Sequence, residues 1–405
     1  MRRAALVGHG IQRTVTGAER LCADPALVSG RRLGLVTNYT GVMPDLTSNV
    51  AAMQAAGLPL VALFGPEHGL RGSTQAGESE PDDHDPDSGL PVIDTYRHSG
   101  ADLEELVVRS GVDTLLYDLQ DIGTRFYTYV WTMYDLLVVA ARLGIPFVVL
   151  DRPNPVGGLV AEGPLLDPAF ASFVGRTPIP LRHGLTVGEL ARHLNQTAVP
   201  HAAGRPAELE VLAMLSWRRS FYADQTGLPW VMPSVNIPTL DTALVYPGTG
   251  LFEGTNLSEG RGTTRPFELI GAPYVDRRLA PALNDLRLPG VRFRDATFTP
   301  TFHKYAGRQC RGVQVHVMDR ETFAPVRTAL AMLYCLRTLY PDDFGWRVAT
   351  DESAAHPHFI DLLWGSDTLR QTLDAGKDPA ILLPSPAPGQ ARPHEWAGEQ
   401  VMLYQ

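Results

Sequence analysis

The sequence TLLYDLQDIGTRFYTYVWTMYDLLVVAARLGIPFVVLDRPNP, residues 114–155, indicates the fold most directly. Two apolar runs of strand length, 114–117 and 145–150, flank an Ala- and Leu-rich segment, 131–143. Gly144 follows that segment, at the place where a helix commonly ends on a glycine. A strand, a helix and a second strand in this order predict two parallel strands joined by a crossover helix.

The same alternation extends towards the N-terminus. Strand-length apolar runs lie at 33–37 and 58–64, and helical segments at 46–56 and 101–110 are each followed by a glycine. Strands that alternate with helices in this way are typical of an α/β fold with a parallel central sheet.

Polar residues follow each of the four predicted strands. In open α/β sheets, ligands bind beyond the carboxyl ends of the strands. We therefore expect the four strand ends to converge on one cleft. The segments concerned are NYT (38–40), GPEHG (65–69), DLQD (118–121) and DRPNP (151–155).

The chain has 405 residues, which is enough for two domains at roughly 100–200 residues per domain. The composition changes after the turn-rich stretch 229–238, so we place the boundary near Ile237, with domains 1–237 and 238–405. The second domain is predicted to mix helices and strands. Its predicted elements are strands at 242–246, 313–317 and 400–404 and a helix at 321–340.

Composition and charge exclude several functional classes. A formal net charge of -9 offers no basic field for phosphates, so neither nucleic acid nor an anionic membrane is an expected partner. The three cysteines are too few and too scattered for a disulfide framework or a thiolate zinc site. The sequence also lacks the signatures of dinucleotide-binding oxidoreductases, P-loop enzymes, serine esterases and zincins.

The start of the chain bears on its location. The first residues, MRRAALVGHG, contain a shorter apolar run than the ~7–15 residues of a signal peptide. No window reaches the ~18 apolar residues of a membrane span either. We expect a cytoplasmic protein, unless an upstream segment is missing.

Glu67 and His68 stand between Gly65-Pro66 and Gly69 at the end of the second predicted strand. Partial burial beside apolar residues such as Phe64 favours the protonated form of a carboxyl group, and a protonated carboxyl group can act as a general acid. The alternative is a glutamate that only caps a helix or stabilises a turn.

A second cluster lies in DLQDIGTRFYTY (118–129), where Asp118, Asp121, Arg125 and Tyr127 are close in sequence. Carboxylates, a guanidinium and aromatic faces together suit a sugar or a carboxylated small molecule. In the alternative, Arg125 forms a buried salt bridge with an aspartate, and Tyr127 belongs to the core.

A third cluster, EGTNLSEGRGTTR (253–265), intersperses small polar residues with glycines. Such a segment forms helix or strand poorly, so we expect a loop that faces a ligand. In the alternative, its two arginines and two glutamates only pair with each other.

The acidic loop PDDHDPDSG (81–89) carries oxygens at every second position, as calcium loops do. Ser88 occupies the position of the turn glycine, and no glutamate closes the loop at its twelfth position. A solvated turn is therefore the favoured interpretation, and no metal is predicted.

Taken together, these motifs resemble the family of exo-β-N-acetylmuramidases over nearly the whole chain. Each motif alone is weak, but their combined length and order are specific. They are GLVTNYTGV (34–42), LFGPEHGLRG (63–72), DLQDIGTRFYTY (118–129), LDRPNPVGG (150–158), EGPLL (162–166) and YPGTGLFEGTNLSEGRGTTRPFELIGAP (246–273).

The resemblance implies an N-terminal Rossmann-like domain without a dinucleotide, a smaller C-terminal domain, and an active site in the cleft between them. It implies release of single N-acetylmuramic acid units from the non-reducing end of peptidoglycan fragments, with Glu67 as the catalytic glutamate. No cofactor is expected, the expected partner is a small carbohydrate, and the oligomeric state stays open.

Glycosidases usually pair two carboxyl groups, so a second catalytic group is expected. Asp118, Asp121 and Glu259 are candidates, and in a third route the substrate's own acetamido group attacks. A guanidinium from Arg125 or from the 261–265 loop would suit the lactyl carboxylate of a muramyl unit. The residues predicted to bind substrate are Asn38, His68, Arg71, Arg125, Tyr127, Asn154, Glu253, Asn256, Arg261 and Arg265.

Two features depart from the family pattern. Pro233-Ser234-Val235-Asn236 stands where related sequences tend to read Pro-Ser-Pro-Asn, and we expect a looser turn near the cleft. Members that act outside the cell carry export signals and none is visible here, so imported disaccharides or muropeptide pieces are the predicted substrates. Two other functions stay open: a non-catalytic muropeptide-binding protein, and a metal-dependent hydrolase that uses the acidic residues of 82–87.

Overall fold

The computed structural model describes residues 13–72, 83–348, 356–383 and 392–405. The start of the chain, Asp82 of the acidic loop and most of the proline-rich stretch 384–393 lie outside the described residues. The predicted cytoplasmic location therefore stays a prediction. Across the described ranges, no helix combines the length and the apolar character that crossing a membrane requires.

Twelve strands in the described residues form three sheets. A seven-stranded sheet has the order β3-β4-β2-β1-β5-β6-β9, a three-stranded sheet the order β10-β12-β11, and β7 pairs with β8. The strands are β1 (Leu33–Thr37), β2 (Leu60–Gly65), β3 (Asp83–His84), β4 (Pro91–Asp94), β5 (Thr114–Asp118), β6 (Phe147–Leu150), β7 (Glu162–Leu165), β8 (Pro180–Arg182), β9 (Leu209–Leu212), β10 (Leu269–Ala272), β11 (Val291–Phe298) and β12 (Cys310–Val317).

The helices connect and cover these sheets. They are α1 (Gly17–Ala23), α2 (Asn49–Ala55), α3 (Gly100–Ser110), α4 (Tyr129–Leu143), α5 (Val187–Thr197), α6 (Val199–Ala203), α7 (Leu240–Thr249), α8 (Leu279–Asp285), α9 (Pro325–Leu339), α10 (Phe359–Trp364), α11 (Thr368–Asp374) and α12 (Pro393–Ala397).

The seven-stranded sheet is parallel except for the edge strand β3. Alternate side chains of a strand point to opposite faces, and both faces are buried. In β5, Leu115 and Tyr117 join one hydrophobic core, whereas Leu116 joins the other, which also contains Leu21 of α1 and Met53 of α2. The larger core continues into the C-terminal part of the chain through α9 and β12.

This architecture confirms the predicted α/β class, with a Rossmann-like parallel sheet followed by a smaller part that mixes α and β. The antiparallel sheet of β10, β11 and β12 lies in that smaller part, against α7 and α8. The predicted boundary near Ile237 stays a prediction.

Two predicted strands are wrong. Residues 242–246 belong to the helix α7, because Thr239 caps its first turn by accepting a hydrogen bond from Thr242 N, at 3.3 Å. The apolar run of α7 is buried all round, and periodicity alone cannot distinguish such a run from a buried strand. Residues 400–404 contain the end of a short 3₁₀ turn, Glu399–Val401, and an irregular tail.

Arg125 connects the two parts of the chain. Its side chain is fully buried and donates to four backbone carbonyl oxygens. Nη1 bonds Pro164 O and Ile179 O, each at 2.8 Å, and Nη2 bonds Leu363 O at 3.0 Å and Trp364 O at 2.6 Å. The guanidinium therefore fixes α10 against the segments around β7 and β8. Burial lowers the pKa of Arg125 to about 9.

We expect Arg125→Met to lower the free energy of unfolding by about 3–5 kcal/mol, because buried carbonyl oxygens lose their charged donor. Arg125→Lys should recover only part of this loss, since an ammonium group cannot span the same set of acceptors. Urea denaturation would measure both effects. The exposed Arg218 provides a control, and Arg218→Ala should change stability by less than about 0.5 kcal/mol. Equal stability of Arg125→Met and the parent would contradict this role.

Asp151, directly after β6, anchors the C-terminal tail to the sheet. Its carboxyl accepts hydrogen bonds from Tyr404 Oη at 2.5 Å, Thr186 Oγ1 at 2.8 Å and Gly188 N at 2.8 Å. Burial outweighs these bonds, and with the nearby Glu189 carboxylate it raises the pKa of Asp151 to about 7. The folded protein thus holds a proton that an unfolded Asp, with a pKa near ~3.9, releases.

This difference makes stability depend on pH. The contribution of Asp151 is fully present below about pH 4 and is lost as the pH rises towards the folded pKa of about 7. Asp151→Asn should flatten the fall of the unfolding free energy across this range. Tyr404→Phe removes a bond that favours the carboxylate, so it should extend the fall to higher pH. Parallel curves for the parent and Asp151→Asn, measured by denaturation at several pH values, would refute the assignment.

Candidate active site

A cleft of about 790 Å³ lies at the carboxyl ends of β2 and β4 and extends to the C-terminal part of the chain. It brings together five residues that the sequence singled out. The loop after β2 and the segment before α4 form one side, and the loop after α7 forms the other. The five residues are Glu67, His68, Tyr127, Glu253 and Arg261.

Glu67 is held in the loop that leaves β2. Glu67 is 9% exposed. Its carboxyl group accepts a short hydrogen bond from Thr128 Oγ1 and a longer one from Tyr96 Oη, at 3.5 Å. His68 follows with a φ of 72°, a left-handed conformation that is costly for a residue with a Cβ atom. Such strain is common at functional sites, where the surrounding structure maintains it.

Tyr96 is a neutral donor to Glu67. Burial, together with the neighbouring Glu67 carboxylate, raises the pKa of Tyr96 to about 12. The phenol therefore keeps its proton at neutral pH and can orient the Glu67 carboxyl group. Tyr96 and Thr128 thus approach Glu67 from two different loops.

Aromatic rings form the floor between the two sides of the cleft. Tyr246 lies edge-on to Phe126 at 5.2 Å, to Tyr127 at 6.3 Å and to Phe267 at 4.6 Å between ring centroids. Burial and the nearby Glu253 and Glu67 carboxylates raise the pKa of Tyr246 well above its ordinary value. A floor of neutral aromatic side chains suits the apolar face of a sugar ring.

Glu253 and Arg261 form an ion pair on the opposite side. Arg261 Nη2 and Nε both bond Oε1 of Glu253, at 2.7 and 3.1 Å. The guanidinium also lies over the ring of Phe267, at 5.1 Å from its centroid. Arg261 is therefore fixed between a carboxylate and an aromatic face at the cleft surface.

Glu259 lies behind this pair and is fully buried. It contacts Lys304 Nζ at 2.9 Å, His303 Nδ1 at 3.1 Å and Arg261 Nε at 3.5 Å. Burial disfavours the charged form of Glu259, but the positive charges of Lys304 and its other neighbours outweigh it and lower the pKa of Glu259 to about 2. Glu259 is thus ionised and holds Arg261 and Lys304 in place. It lies outside the cleft lining.

Asp118 and Asp121 also lie outside the cleft lining. Asp118 is buried and accepts from Arg152 Nε at 2.5 Å, Arg152 Nη2 at 2.9 Å and Asn49 Nδ2 at 2.7 Å. Asp121 accepts from Gly123 N at 2.7 Å and lies 3.1 Å from His183 Nε2. Both carboxyl groups thus bond neighbouring loops at the sheet edge, and their catalytic role stays a prediction.

Three other residues predicted to bind substrate are also occupied by contacts within the protein. Arg125 lies beneath the cleft among carbonyl oxygens and cannot reach a lactyl carboxylate there. Asn38 donates to Tyr129 Oη at 2.8 Å, and Asn154 donates to Leu185 O at 2.9 Å.

Asn256, Arg265 and Arg71 are not part of the cleft lining either. Asn256 donates to Asp343 O at 2.7 Å and accepts from Tyr274 Oη at 2.9 Å. Arg265 pairs with Glu268 at 3.2 Å, and Arg71 is exposed beyond the end of the GPEHG loop. Asn256 and Arg265 thus support the loops around the cleft.

The prediction that four strand ends meet in one cleft is only partly correct. A smaller cavity of about 120 Å³ lies over the ends of β1, β5 and β6, and Thr40, Gln120, Arg152 and Trp230 contribute to its lining. The sheet edge therefore serves two cavities. The ends of β2 and β4 and the segment 126–129 face the larger one.

The sequence missed several cleft residues, among them Tyr96, Thr128, Tyr246 and Asn236. Three of these stood inside motifs that the sequence analysis had quoted: Thr128 in the 118–129 stretch, Asn236 in the Pro-Ser-Val-Asn turn, and Tyr246 at the start of the 246–273 stretch. Tyr96 carried no signal beyond residue type.

The acidic loop has a structural explanation where it is described. Asp85 Oδ2 accepts from Ser88 N at 3.0 Å and from Ser88 Oγ at 2.6 Å, which closes a turn. Within the described part of the chain, no group of three or more His, Cys, Asp or Glu residues is arranged to hold a metal ion. Asp82 lies outside the described residues.

Solved structures match this fold over almost its full length. A DUF1343 family protein from Bacteroides fragilis NCTC 9343 is 33% identical with a TM-score of 0.83, and covers 97% of this chain and 99% of its own. A second DUF1343 family protein from the same organism is 27% identical with a TM-score of 0.70 and the same coverage.

Sequence comparisons lead to a named family. The model "Exo-beta-N-acetylmuramidase NamZ, N-terminal" matches residues 33–241, and the corresponding C-terminal model matches residues 244–398. The peptidoglycan beta-N-acetylmuramidase NamZ of Bacillus subtilis (strain 168) is 48% identical over 332 residues, which cover 81% of this chain and 78% of that protein. This chain therefore belongs to the exo-beta-N-acetylmuramidase NamZ family.

Proposed function

We propose that this protein is an exo-acting glycoside hydrolase that releases N-acetylmuramic acid from the non-reducing end of peptidoglycan fragments. Small carbohydrates, such as muropeptides or the MurNAc-GlcNAc disaccharide, are its substrates. The observation that carries the proposal is Glu67, a largely buried carboxyl group fixed by Thr128 and Tyr96 in a cleft of about 790 Å³. The activity named for the Bacillus subtilis relative supports it.

Glu67 is the general acid and base in this proposal. As an acid, its carboxyl group gives a proton to the glycosidic oxygen when the bond to the anomeric carbon breaks. The carboxylate then takes a proton from the water that replaces the leaving group. Such proton transfer contributes about 10²- to 10⁴-fold to a rate. Thr128 and Tyr96 keep the carboxyl group in position through the cycle.

Glu253 is the second carboxyl group in this proposal. It lies at the cleft surface, and both bonds from Arg261 end on its Oε1 atom. After burial, the Glu253 and Glu67 carboxylates are among the causes that raise the pKa of Tyr246, the phenol on the cleft floor. Two carboxyl groups around one site are the usual equipment of glycosidases. Glu253 thus replaces the three candidates that the sequence suggested.

A hydrolase is favoured over the two alternatives. A non-catalytic binder has no need for a strained loop that holds a carboxyl group in the cleft, and the named relative is an enzyme. A metal-dependent hydrolase built on the acidic loop would act away from Glu67, since the described part of that loop does not contribute to the cleft lining.

A substitution at Glu67 tests its role in proton transfer. Glu67→Gln keeps the size and one of the two acceptor oxygens but removes the transferable proton, so release of N-acetylmuramic acid from MurNAc-GlcNAc should fall by at least about 10²-fold. Binding of the disaccharide, measured by calorimetry, should stay within a few-fold of the parent.

Glu105→Gln on the exposed side of α3 is the matched control and should keep parental activity. A chelator should leave the parent's turnover unchanged, whereas chelator sensitivity would support the metal-dependent alternative. Saturable binding without any turnover by the parent would support the binding protein instead.

Substitutions at Glu253 and Glu259 should have different effects on activity and stability. Glu253→Gln should lower kcat by at least about 10-fold and cost less unfolding free energy than Glu259→Gln, because its side chain is partly exposed at the cleft and Glu259 still faces Arg261. Glu259→Gln should instead lower stability, because Lys304 and Arg261 lose a buried counter-charge. Activity and urea denaturation of both variants would test this. Parental kcat in Glu253→Gln would remove Glu253 from the proposal.

A further inference from the structure

Within the described residues, Asn236 Nδ2 is a buried atom of the cleft lining without a hydrogen-bond partner, and Tyr127 Oη has the Tyr129 side chain as a neighbour but no contact with full hydrogen-bond geometry. Asn236 is 4% exposed and Tyr127 is 6% exposed. A buried donor without an acceptor costs about 1–3 kcal/mol, so native structures rarely keep one without a reason. Arg176 Nε is a third such atom in the lining, but the guanidinium of Arg176 is already paired with Asp135, at 2.9 Å.

The Asn236 side chain sits on a turn that the protein fixes from both sides. Ile237 N bonds Ser234 O at 3.0 Å and closes the turn. Before it, Pro233 O accepts from Tyr129 Oη at 3.0 Å, and after it, Pro238 O accepts from Trp230 Nε1 at 3.0 Å. Asn236 is thus held in place without a ligand, as a preorganised binding group is.

Tyr127 packs against Tyr129, the residue that bonds Pro233 O at this turn. Its ring packs edge-on against Tyr129, with 4.8 Å between centroids, and the Tyr129 hydroxyl already accepts from Asn38 at 2.8 Å and donates to Pro233 O. Burial raises the pKa of Tyr127 well above its ordinary value, so its hydroxyl is a neutral donor. The next residue, Thr128, is the one that bonds Glu67.

The chemistry of these two groups selects their ligand. An amide N–H and a phenol O–H are neutral donors, which suit a neutral acceptor such as an amide carbonyl oxygen. A carboxylate would be better served by the cationic side chains elsewhere in the cleft, such as Arg347. In the disaccharide MurNAc-GlcNAc, whose lactyl group is a free carboxylate, the amide on the reacting ring is the 2-acetamido group, bonded to the carbon next to the anomeric carbon.

We infer that Asn236 and Tyr127 form an acetamido-recognition subsite, in which Asn236 Nδ2 and Tyr127 Oη donate to the carbonyl oxygen of the substrate's 2-acetamido group. This inference rests on the proposed function, because it takes a muramyl unit as the substrate. It makes the two residues determinants of specificity beside the acid Glu67. Asn38 and Tyr129 act through them as positioning residues.

The test compares two substrates that differ only in this group: MurNAc-GlcNAc and its analogue with a free 2-amino group on the muramyl ring. The parent should prefer the acetamido substrate in kcat/KM by a large factor. Asn236→Ala and Tyr127→Phe should each reduce that preference by about 10-fold or more, mainly through loss on the acetamido substrate. Tyr334→Phe removes a phenol hydroxyl on α9 outside the cleft lining and is the matched control.

Equal losses on both substrates would overturn the inference, because they would show that the variants disturb the cleft without reading the acetamido group. A parent that hydrolyses neither substrate would instead count against the proposed function. In that case, calorimetry would compare the binding of N-acetylmuramic acid and of muramic acid to the parent and to the same variants. This comparison tests the inference without any turnover. A parental preference in binding that both variants retain would overturn it.

Discussion

The shape of the cleft depends on the buried guanidinium of Arg125. Within the described residues it has no carboxylate partner, and four carbonyl dipoles stabilise its charge instead. These carbonyls come from the segments around β7 and β8 and from α10, so one side chain joins elements that are distant in sequence. The residues directly after Arg125 provide the aromatic floor and the Thr128 hydroxyl that orients Glu67. A tilt of this segment would move the floor and the acid together.

Different interactions stabilise the two sides of the cleft. Around Glu67, neutral hydroxyl groups hold a carboxyl group whose function requires it to change its protonation state. Around Glu259, buried charges hold each other in one fixed state, because the Lys304 ammonium and its neighbours stabilise the carboxylate. Charges of both signs nearly balance on that side, so it can present the Glu253–Arg261 pair to a substrate without imposing a strong net field. One side is thus suited to proton transfer and the other to fixed orientation.

Sequence patterns predicted the four central strands of the large sheet, because strands buried on both faces have apolar runs of strand length and the helix ends have glycines, whereas the outer strands β3, β4 and β9 were not predicted. The same patterns identified Glu67 by its place after β2. They could not tell which polar residues at the strand ends face the cleft. Asp118 and Arg125 have the chemistry of ligand groups, but their orientation depends on tertiary contacts with Arg152 and with carbonyls of β7, β8 and α10. The helix α7 was mistaken for a strand for a related reason, since complete burial removes the periodicity of an amphipathic helix.

The Pro-Ser-Val-Asn turn shows how tertiary contacts can replace a local constraint. A proline at position 235 would restrict the backbone directly, whereas Val235 leaves it freer in the unfolded chain. In the fold, Tyr129 and Trp230 hold the carbonyls on either side of the turn, and a backbone bond closes it. The sequence predicts a looser turn, and in the fold the hydrogen bond from Tyr129, the first residue of α4, holds this turn in place. Asn38, which follows β1, bonds the same Tyr129 hydroxyl. It therefore supports the turn although its side chain does not line the cleft.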